Sequence, residues 1–159
     1  MKTIPLTQGK YAIVDDVDFE WLSQWKWCAN KDRNTWYAVR TMHKDEKQIK
    51  IMMHREILGL KHGDGMDTDH KDGDGLNNRR ENLRTATHAQ NMYNQRIRKG
   101  TSQFKGVHWN RCAAKWCAQI RVNNRLIYLG YFVSEIEAGL AYDMAAQKYF
   151  GEFAKLNVA

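Results

Sequence analysis

Hydrophobic positions along this chain change their spacing often enough to mark out a series of short elements. Tyr11-Ala12-Ile13-Val14 is a compact apolar run stopped by Asp15-Asp16, a pattern that predicts a strand and then a turn. Asp18 is placed to cap a short helix, with Phe19, Leu22 and Trp25 on one face. Residues 25–30, 36–41 and 48–53 read as further strands, separated by polar turns at 31–35 and 43–47. The aromatic residues of this region, Trp21, Trp25, Trp27, Trp36 and Tyr37, could offer a base-stacking platform. Alternating strands need side chains to bury, however, and core packing is the expectation.

Residues 54–60 form a short helical pattern closed by Gly59 or Gly63, and the glycine-rich, polar stretch 62–80 reads as an irregular loop of a length that is often functional. Thr87-His88-Ala89-Gln90 is a capping-box pattern, so a helix should start after Thr87 and run towards Arg96. Residues 98–102 are the natural linker. Beyond it, 104–109, 115–122 and 125–129 read as three strands, the last two joined by a two-residue turn at Asn123-Asn124. Ser134-x-x-Glu137 then caps a helix carrying Leu140, Ala141, Ala145, Ala146 and Tyr149, ended by Gly151.

Composition adds a partner class. The 159 residues carry a formal net charge of +7, which suggests a polyanion without separating DNA from RNA or a membrane surface. The distribution of charge is more telling than its sum. No acidic residue lies between Glu81 and Glu135, while Arg84, Arg96, Arg98, Lys99, Lys105, Arg111, Lys115, Arg121 and Arg125 do. An ordinary solvated face intersperses both signs, so this stretch reads as a phosphate-tracking surface. Cys28, Cys112 and Cys117 are odd in number and form no CxxC pair, so reduced, partly buried thiols are expected. The N-terminus lacks the apolar core of a signal peptide and no apolar run approaches membrane-spanning length, which favours the cytoplasm of the host cell, at the nucleoid.

The candidate chemistry sits in the loop. Asp69-His70 is followed by Leu76-Asn77-Asn78-Arg79, Glu81-Asn82-Leu83-Arg84 and, early in the capped helix, Asn91. Hydrolysis of a phosphodiester needs an activated water, a Lewis acid beside the phosphate and stabilisation of the leaving oxygen. An imidazole such as His70 can be the general base. Asp69 and Asn91 offer hard oxygen donors that suit Mg²⁺ or Mn²⁺. Arg79, Arg80 and Arg84 are candidates for phosphate contacts. Asp72 and Asp74 with their glycines hint at a calcium loop, but the glutamate that would end one is missing. His43, His62 and His88 read as surface residues, and His54 as a packing or loop-bracing one.

This motif set resembles the HNH endonucleases, and among them the phage and intron-type homing enzymes with Asn in the third motif position. The resemblance implies a ββα-metal fold around one divalent metal, with His70 as base, Asp69 and Asn91 as metal ligands, and Asn82 pinning the loop and orienting the base.

A second resemblance covers residues 103–157. Phe104-Lys105-Gly106-Val107, Lys115-Trp116-x-Ala118-x-Ile120-Arg121, Leu129-Gly130-x-Phe132, Ala141-Tyr142-Asp143 and Leu156-Asn157 are similar to the DNA-binding domain of the plant APETALA/ethylene-response factors. Alternation places Lys115, Cys117, Gln119 and Arg121 on the face opposite Trp116, Ala118, Ile120 and Val122. The turn pairs Gln119 with Tyr128 and Arg121 with Leu126. Such a sheet can enter the major groove. The resemblance adds Lys105, His108 and Asn110 as contacts, beside Arg111. Plant members carry Arg and Trp where Leu126 and Tyr128 stand, and an Arg at His108, so looser sequence preference is expected.

Taken together, the sequence predicts an α+β protein. An N-terminal mixed sheet (1–60) leads into a ββα-metal motif (61–98), followed by a three-stranded antiparallel sheet on one helix (99–159). The expected function is a metal-dependent endonuclease that nicks duplex DNA, as a monomer or weak dimer. The alternative is a DNA-binding regulator with an inactive nuclease half.

Overall fold

The structure is a computed structural model and describes residues 1–32, 35–61, 63–94 and 100–158. Part of the expected turn at 31–35, His62, the stretch from Gln95 to Arg96 and the basic linker residues Arg98 and Lys99 lie outside the described residues. The chain forms two compact units, Met1–Asn91 and Met92–Ala159.

In the first unit, β1 (Lys2–Pro5) pairs antiparallel with β2 (Tyr11–Val14), and α1 (Asp16–Ser23) follows at once. Asp18 does not cap this helix. It lies in the first turn, and Asp15 occupies the N-cap position without a side-chain bond. The reason is that Asp18 is needed inside. It is 1% exposed, takes the indole N–H of Trp21 at 3.1 Å, and receives two bonds from Arg80 at 2.8 and 2.7 Å.

A second antiparallel sheet, ordered β3-β4-β5, comprises β3 (Cys28–Asp32), β4 (Thr35–Lys44) and β5 (Lys47–Met52). The expectation of one mixed N-terminal sheet is therefore corrected to two small antiparallel sheets. The parallel character among the described residues is an isolated bridge from Ile13 to Asn77. The core gathers Ile4, Ala12, Val14, Leu22, Trp27, Ala38, Met53, Ile57 and Leu83. Only part of the aromatic cluster is core. Trp27 is buried and Trp21 packs against it, whereas Trp25 is exposed under the Arg40 guanidinium at 4.5 Å.

Next come α2 (Met53–Ile57), β6 (Asp67–His70), β7 (Leu83–Ala86) and α3 (His88–Tyr93). Strand β6 lies inside the stretch expected to be irregular. Its Asp-Thr-Asp-His composition has little strand propensity beyond Thr68, and pairing with β7 makes it a strand.

The second unit is a three-stranded antiparallel sheet, β8 (Val107–Asn110), β9 (Lys115–Val122) and β10 (Arg125–Phe132), with the order β10-β9-β8. Asn123 and Asn124 take φ of 47° and 63°, the left-handed pair that a two-residue hairpin requires. Helix α4 (Glu135–Phe150) packs on the sheet with its N-cap Ser134 accepting from the Ile136 N–H. Its buried face includes Ala138, Gly139, Tyr142, Ala145, Ala146 and Phe150, while Leu140 and Tyr149 are exposed. Small residues win the inner face because the backbones approach closely. A Cβ on Gly106 would stand 2.0 Å from the Tyr142 ring, and one on Gly139 3.0 Å from Phe104. The cysteines are free, as expected, but Cys28 and Cys112 are exposed and only Cys117 is buried.

Candidate functional site

Strand β6 sorts the candidate residues by parity. Asp67 and Asp69 share one face, and Thr68 and His70 the other. In the ribbon with β7, Asp69 stands opposite Arg84 and His70 opposite Leu83. A buried carboxylate needs a counter-charge, and Asp69 takes the Arg84 Nε–H at 2.7 Å. On the same face Asp67 Oδ2 meets His88 Nδ1 at 3.0 Å and accepts the Asn91 amide N–H at 3.3 Å. Asn91 is delivered there by the capping box. The Thr87 N–H donates to Gln90 Oε1 at 2.8 Å, and the Gln90 N–H donates back to Thr87 Oγ1 at 3.3 Å. Asp69 and Asn91 therefore approach the same side of the ribbon, as hard oxygen donors of the kind Mg²⁺ takes alongside phosphate and water. No group of three His, Cys, Asp or Glu side chains among the described residues could hold a metal by itself.

The buried His70 ring packs among polar and aromatic rings. Its ring centroid lies 5.1 Å from that of His54, nearly perpendicular, and 5.8 Å from that of Tyr37. Tyr37 and His54 meet edge-on at 5.3 Å. The His70 Nε2 is 3.4 Å from Asn78 Oδ1, and Asn78 donates its own amide N–H to the Leu76 carbonyl at 3.2 Å. That second bond turns Oδ1 towards the histidine. Burial pushes the His70 pKa below its ordinary value, and the bond to Asn78 and the charges of Asp72, Asp69 and Asp74 pull back against it. Burial thereby favours the neutral ring, the form a base needs. Burial, and after it the proximity of His70 and Arg55, depress His54 much further, to about 3. His54 Nδ1 is buried without a hydrogen-bond partner among the described residues.

The loop between β6 and β7 is held by its own side chains. Asn82 donates to Asp72 Oδ1 at 3.0 Å and to the Asn77 carbonyl at 2.8 Å, and accepts the Asp72 N–H at 3.1 Å. Asp72 and Asp74 accept backbone N–H groups within the loop, at 2.8 and 3.0 Å, as ordinary turn-forming residues do. Gly75 crosses directly over the Tyr37 ring, where a Cβ would fall 2.5 Å from that side chain and 2.4 Å from the Trp36 carbonyl oxygen. The loop thus packs against Tyr37, whose ring neighbours His70.

Asn78, Tyr37 and His54 were missing from the sequence-based site. The adjacent Asn77-Asn78 pair was a visible signal for the first, but nothing in the spacing pointed to the other two, which come from β4 and α2. The arginines differ in their commitments. Arg80 is spent on buried Asp18, Arg79 pairs with Glu81 and lies 3.7 Å from Asp15, and Arg84 holds Asp69.

In the second unit, Gln119 pairs with Tyr128 and Arg121 with Leu126, in the expected register. His108 stands opposite Cys117 and Asn110 opposite Lys115, on the face away from α4. A bulge between Tyr128 and Gly130, where Gly130 takes a φ of 135°, shifts the alternation by one residue. It brings Tyr131 onto the outer face, with its ring centroid 5.2 Å from that of Tyr128 and its hydroxyl accepting from Asn110 Nδ2 at 3.1 Å. No ion pair among the described residues engages Arg111, Lys115, Arg121 or Arg125. Lys105 behaves differently: it is half-buried, its ammonium donates to the Tyr93 carbonyl, and burial together with Lys155 lowers its pKa to about 8.

The comparisons with known proteins agree with both motif sets. A family model described as HNH endonuclease matches residues 52–93. Over 57 residues the chain is 47% identical to dehydration-responsive element-binding protein 2D of Arabidopsis thaliana, covering 35% of this chain and 27% of that protein. Over 61 residues it is 39% identical to APETALA2-like protein 2 of Oryza sativa subsp. japonica, covering 37% of this chain and 14% of the relative. It is 41% identical to putative dehydration-responsive element-binding protein 2H of Arabidopsis thaliana over 61 residues, 37% of this chain and 38% of that one. The chain therefore spans only a minor part of the length of these relatives. No helix among the described residues is long and apolar enough to cross a membrane.

Proposed function

We propose that this protein is a metal-dependent DNA endonuclease, with its hydrolytic centre at β6–β7–α3 and a C-terminal domain that binds duplex DNA. The observation that carries the reading is the state of His70. Inside the segment matched by the HNH endonuclease model, one histidine is buried beside the Tyr37 and His54 rings, with its Nε2 facing Asn78 Oδ1 and its pKa held below the ordinary value by burial.

In this reading the His70 imidazole takes the proton of the attacking water. Asn78 faces its Nε2, and the Tyr37 and His54 rings restrict rotation of the imidazole. Asp69 and Asn91 would hold a divalent cation, Mg²⁺ or Mn²⁺ by the chemistry of their oxygens, with Arg84 orienting Asp69 and Asp67 orienting the Asn91 amide. A cation bound there supplies Lewis-acid polarisation of the phosphate and stabilises the leaving oxygen. Asn82 braces the loop that carries Asn78. Arg79 is the better placed of the loop arginines for a phosphate contact, since Arg80 neutralises a buried carboxylate. The domains proposed are 1–98 for the nuclease and 99–159 for the DNA-binding part, with Lys115, Gln119, Arg121, His108, Asn110, Arg111 and Tyr128 on or beside the contact face.

One hydrolytic centre per chain cuts one strand, so nicking is the expected outcome. Supercoiled plasmid incubated with the protein and Mg²⁺ or Mn²⁺ should convert to the open circle. His70→Ala should slow that conversion by about 10²–10⁴-fold while leaving DNA binding intact. Binding without cleavage by the wild-type protein, across several divalent metals, overturns the nuclease reading and leaves a DNA-binding regulator.

A further inference from the structure

The outer face of the second unit carries an apolar patch where a surface built only for phosphate would carry cations. Leu126 is 55% exposed, Tyr128 54% and Tyr131 46%, and all three lie on the side of the sheet away from α4. Register makes this a defined block. Arg121 stands opposite Leu126, and one row along Gln119 stands opposite Tyr128. The side chains of Gln119 and Arg121 are not engaged by hydrogen bonds or ion pairs among the described residues, in contrast to the loop arginines of the first unit.

Two facts about duplex DNA give this block a meaning. The floor of the major groove presents one apolar group, the C5-methyl of thymine. It also presents one base whose edge matches a side-chain amide, since Gln bonds both N6 and N7 of adenine, whereas Arg matches O6 and N7 of guanine. Rows two residues apart on an antiparallel strand are separated by about 6.8 Å, close to two base-pair steps of about 3.4 Å. A strand running along the groove therefore sets the Arg121–Leu126 row and the Gln119–Tyr128 row over base pairs two steps apart.

We propose that the centre of this sheet selects A·T pairs, with Leu126 packing on a thymine methyl and Gln119 hydrogen-bonding an adenine, and Arg121 reading a neighbouring guanine. This rests on the proposed DNA-binding role of the second unit and goes beyond it by naming the bases read. It also narrows the sequence-based expectation. Fewer guanidinium groups on the face do not leave it without preference but move the preference from G·C towards A·T. The aromatic pair Tyr128–Tyr131 continues the outer row of β10 beyond Leu126, with Tyr128 opposite Gln119 of β9, and adds contact area beside the methyl site.

The test is selection of bound sequences from a randomised duplex library by the full chain, in Ca²⁺ to withhold turnover, followed by binding to the enriched site. The expected motif contains at least one invariant A·T pair two steps from a second selected pair. Replacing its thymine by deoxyuridine should weaken binding by the wild type about fourfold, the value of one buried methyl group. The same replacement should cost Leu126→Ala nothing. Gln119→Ala should relax selection at the adenine alone. All these positions are on the exposed outer face, so circular dichroism of the variants should match the wild type. A motif of G·C pairs only, or wild-type binding indifferent to the deoxyuridine exchange, overturns the inference while leaving DNA binding standing. Failure of the chain to bind any duplex at low salt overturns the DNA-binding reading itself, and this inference with it.

Discussion

Asp18 and His54 show how the first unit encloses polar groups at a cost that single substitutions can expose. Asp18 is buried in the first turn of α1 and relies on Arg80, sixty-two positions along the chain, for two of its hydrogen bonds. Arg80→Ala would leave a buried carboxylate with only the Trp21 indole, and should lower stability by about 1–3 kcal/mol, read as a drop in the urea midpoint. His54 carries the opposite risk, in acid. Its folded pKa of about 3 lies below the 6.5 of the unfolded chain, so between those values the unfolded state binds a proton that the folded state refuses. Stability should therefore hold above about pH 6.5 and fall as pH drops through that window, by up to about 1.4 kcal/mol per pH unit. Urea titrations at pH 7 and pH 5 should show a smaller acid loss for His54→Leu than for the wild type. An equal loss in both would mean that His54 is not the group refusing the proton.

Short elements here depend on specific turns and caps. Helix α3 has six residues, too few to persist without its capping box, and it carries Asn91. Thr87→Ala should cost about 1 kcal/mol locally, and should weaken Mn²⁺ binding, measured by electron paramagnetic resonance, more than it lowers the melting temperature. The β9–β10 turn places Asn124 in the left-handed region, so Asn124→Gly should be tolerated. Asn124→Val should destabilise the second unit by about 1–2 kcal/mol in thermal melts. Legibility in the sequence divides along the same line. The turn, the Gln119–Tyr128 register and the capping box were readable because each is a local code of a few residues. The inner face of α4 was not, because its choice of Ala138 over Leu140 depends on how closely the helix meets the sheet. Strand β6 and the Tyr37–His54–His70 cluster were hidden for a related reason. Pairing with β7, and ring packing between β4, α2 and β6, are contacts at a distance that local periodicity does not encode.

For the molecule as a whole, the acid-free stretch between Glu81 and Glu135, and Arg111, Lys115, Arg121 and Arg125, which no ion pair engages among the described residues, predict binding governed by released counterions. With six to ten phosphates engaged, affinity for duplex DNA should fall by about 10³–10⁵ between roughly 50 and 200 mM salt, and a shallow slope in a fluorescence-anisotropy titration would place the contact elsewhere. The loop that carries Asn78 extends this dependence to the first unit in another way. Its anchors are Ile13, whose N–H and carbonyl bond Leu76 and Asn78, Asp15 and Asp18 beneath Arg80, and Thr35 and Tyr37 at Gly75. Every one of these anchors precedes residue 52, where the similarity to the endonuclease family begins. The proposed hydrolytic centre is accordingly not a portable cassette. Residues 52–93 grafted onto another DNA-binding scaffold would arrive without the walls that hold their histidine, and a working chimera has to carry the strands and helix from the amino terminus along with the motif.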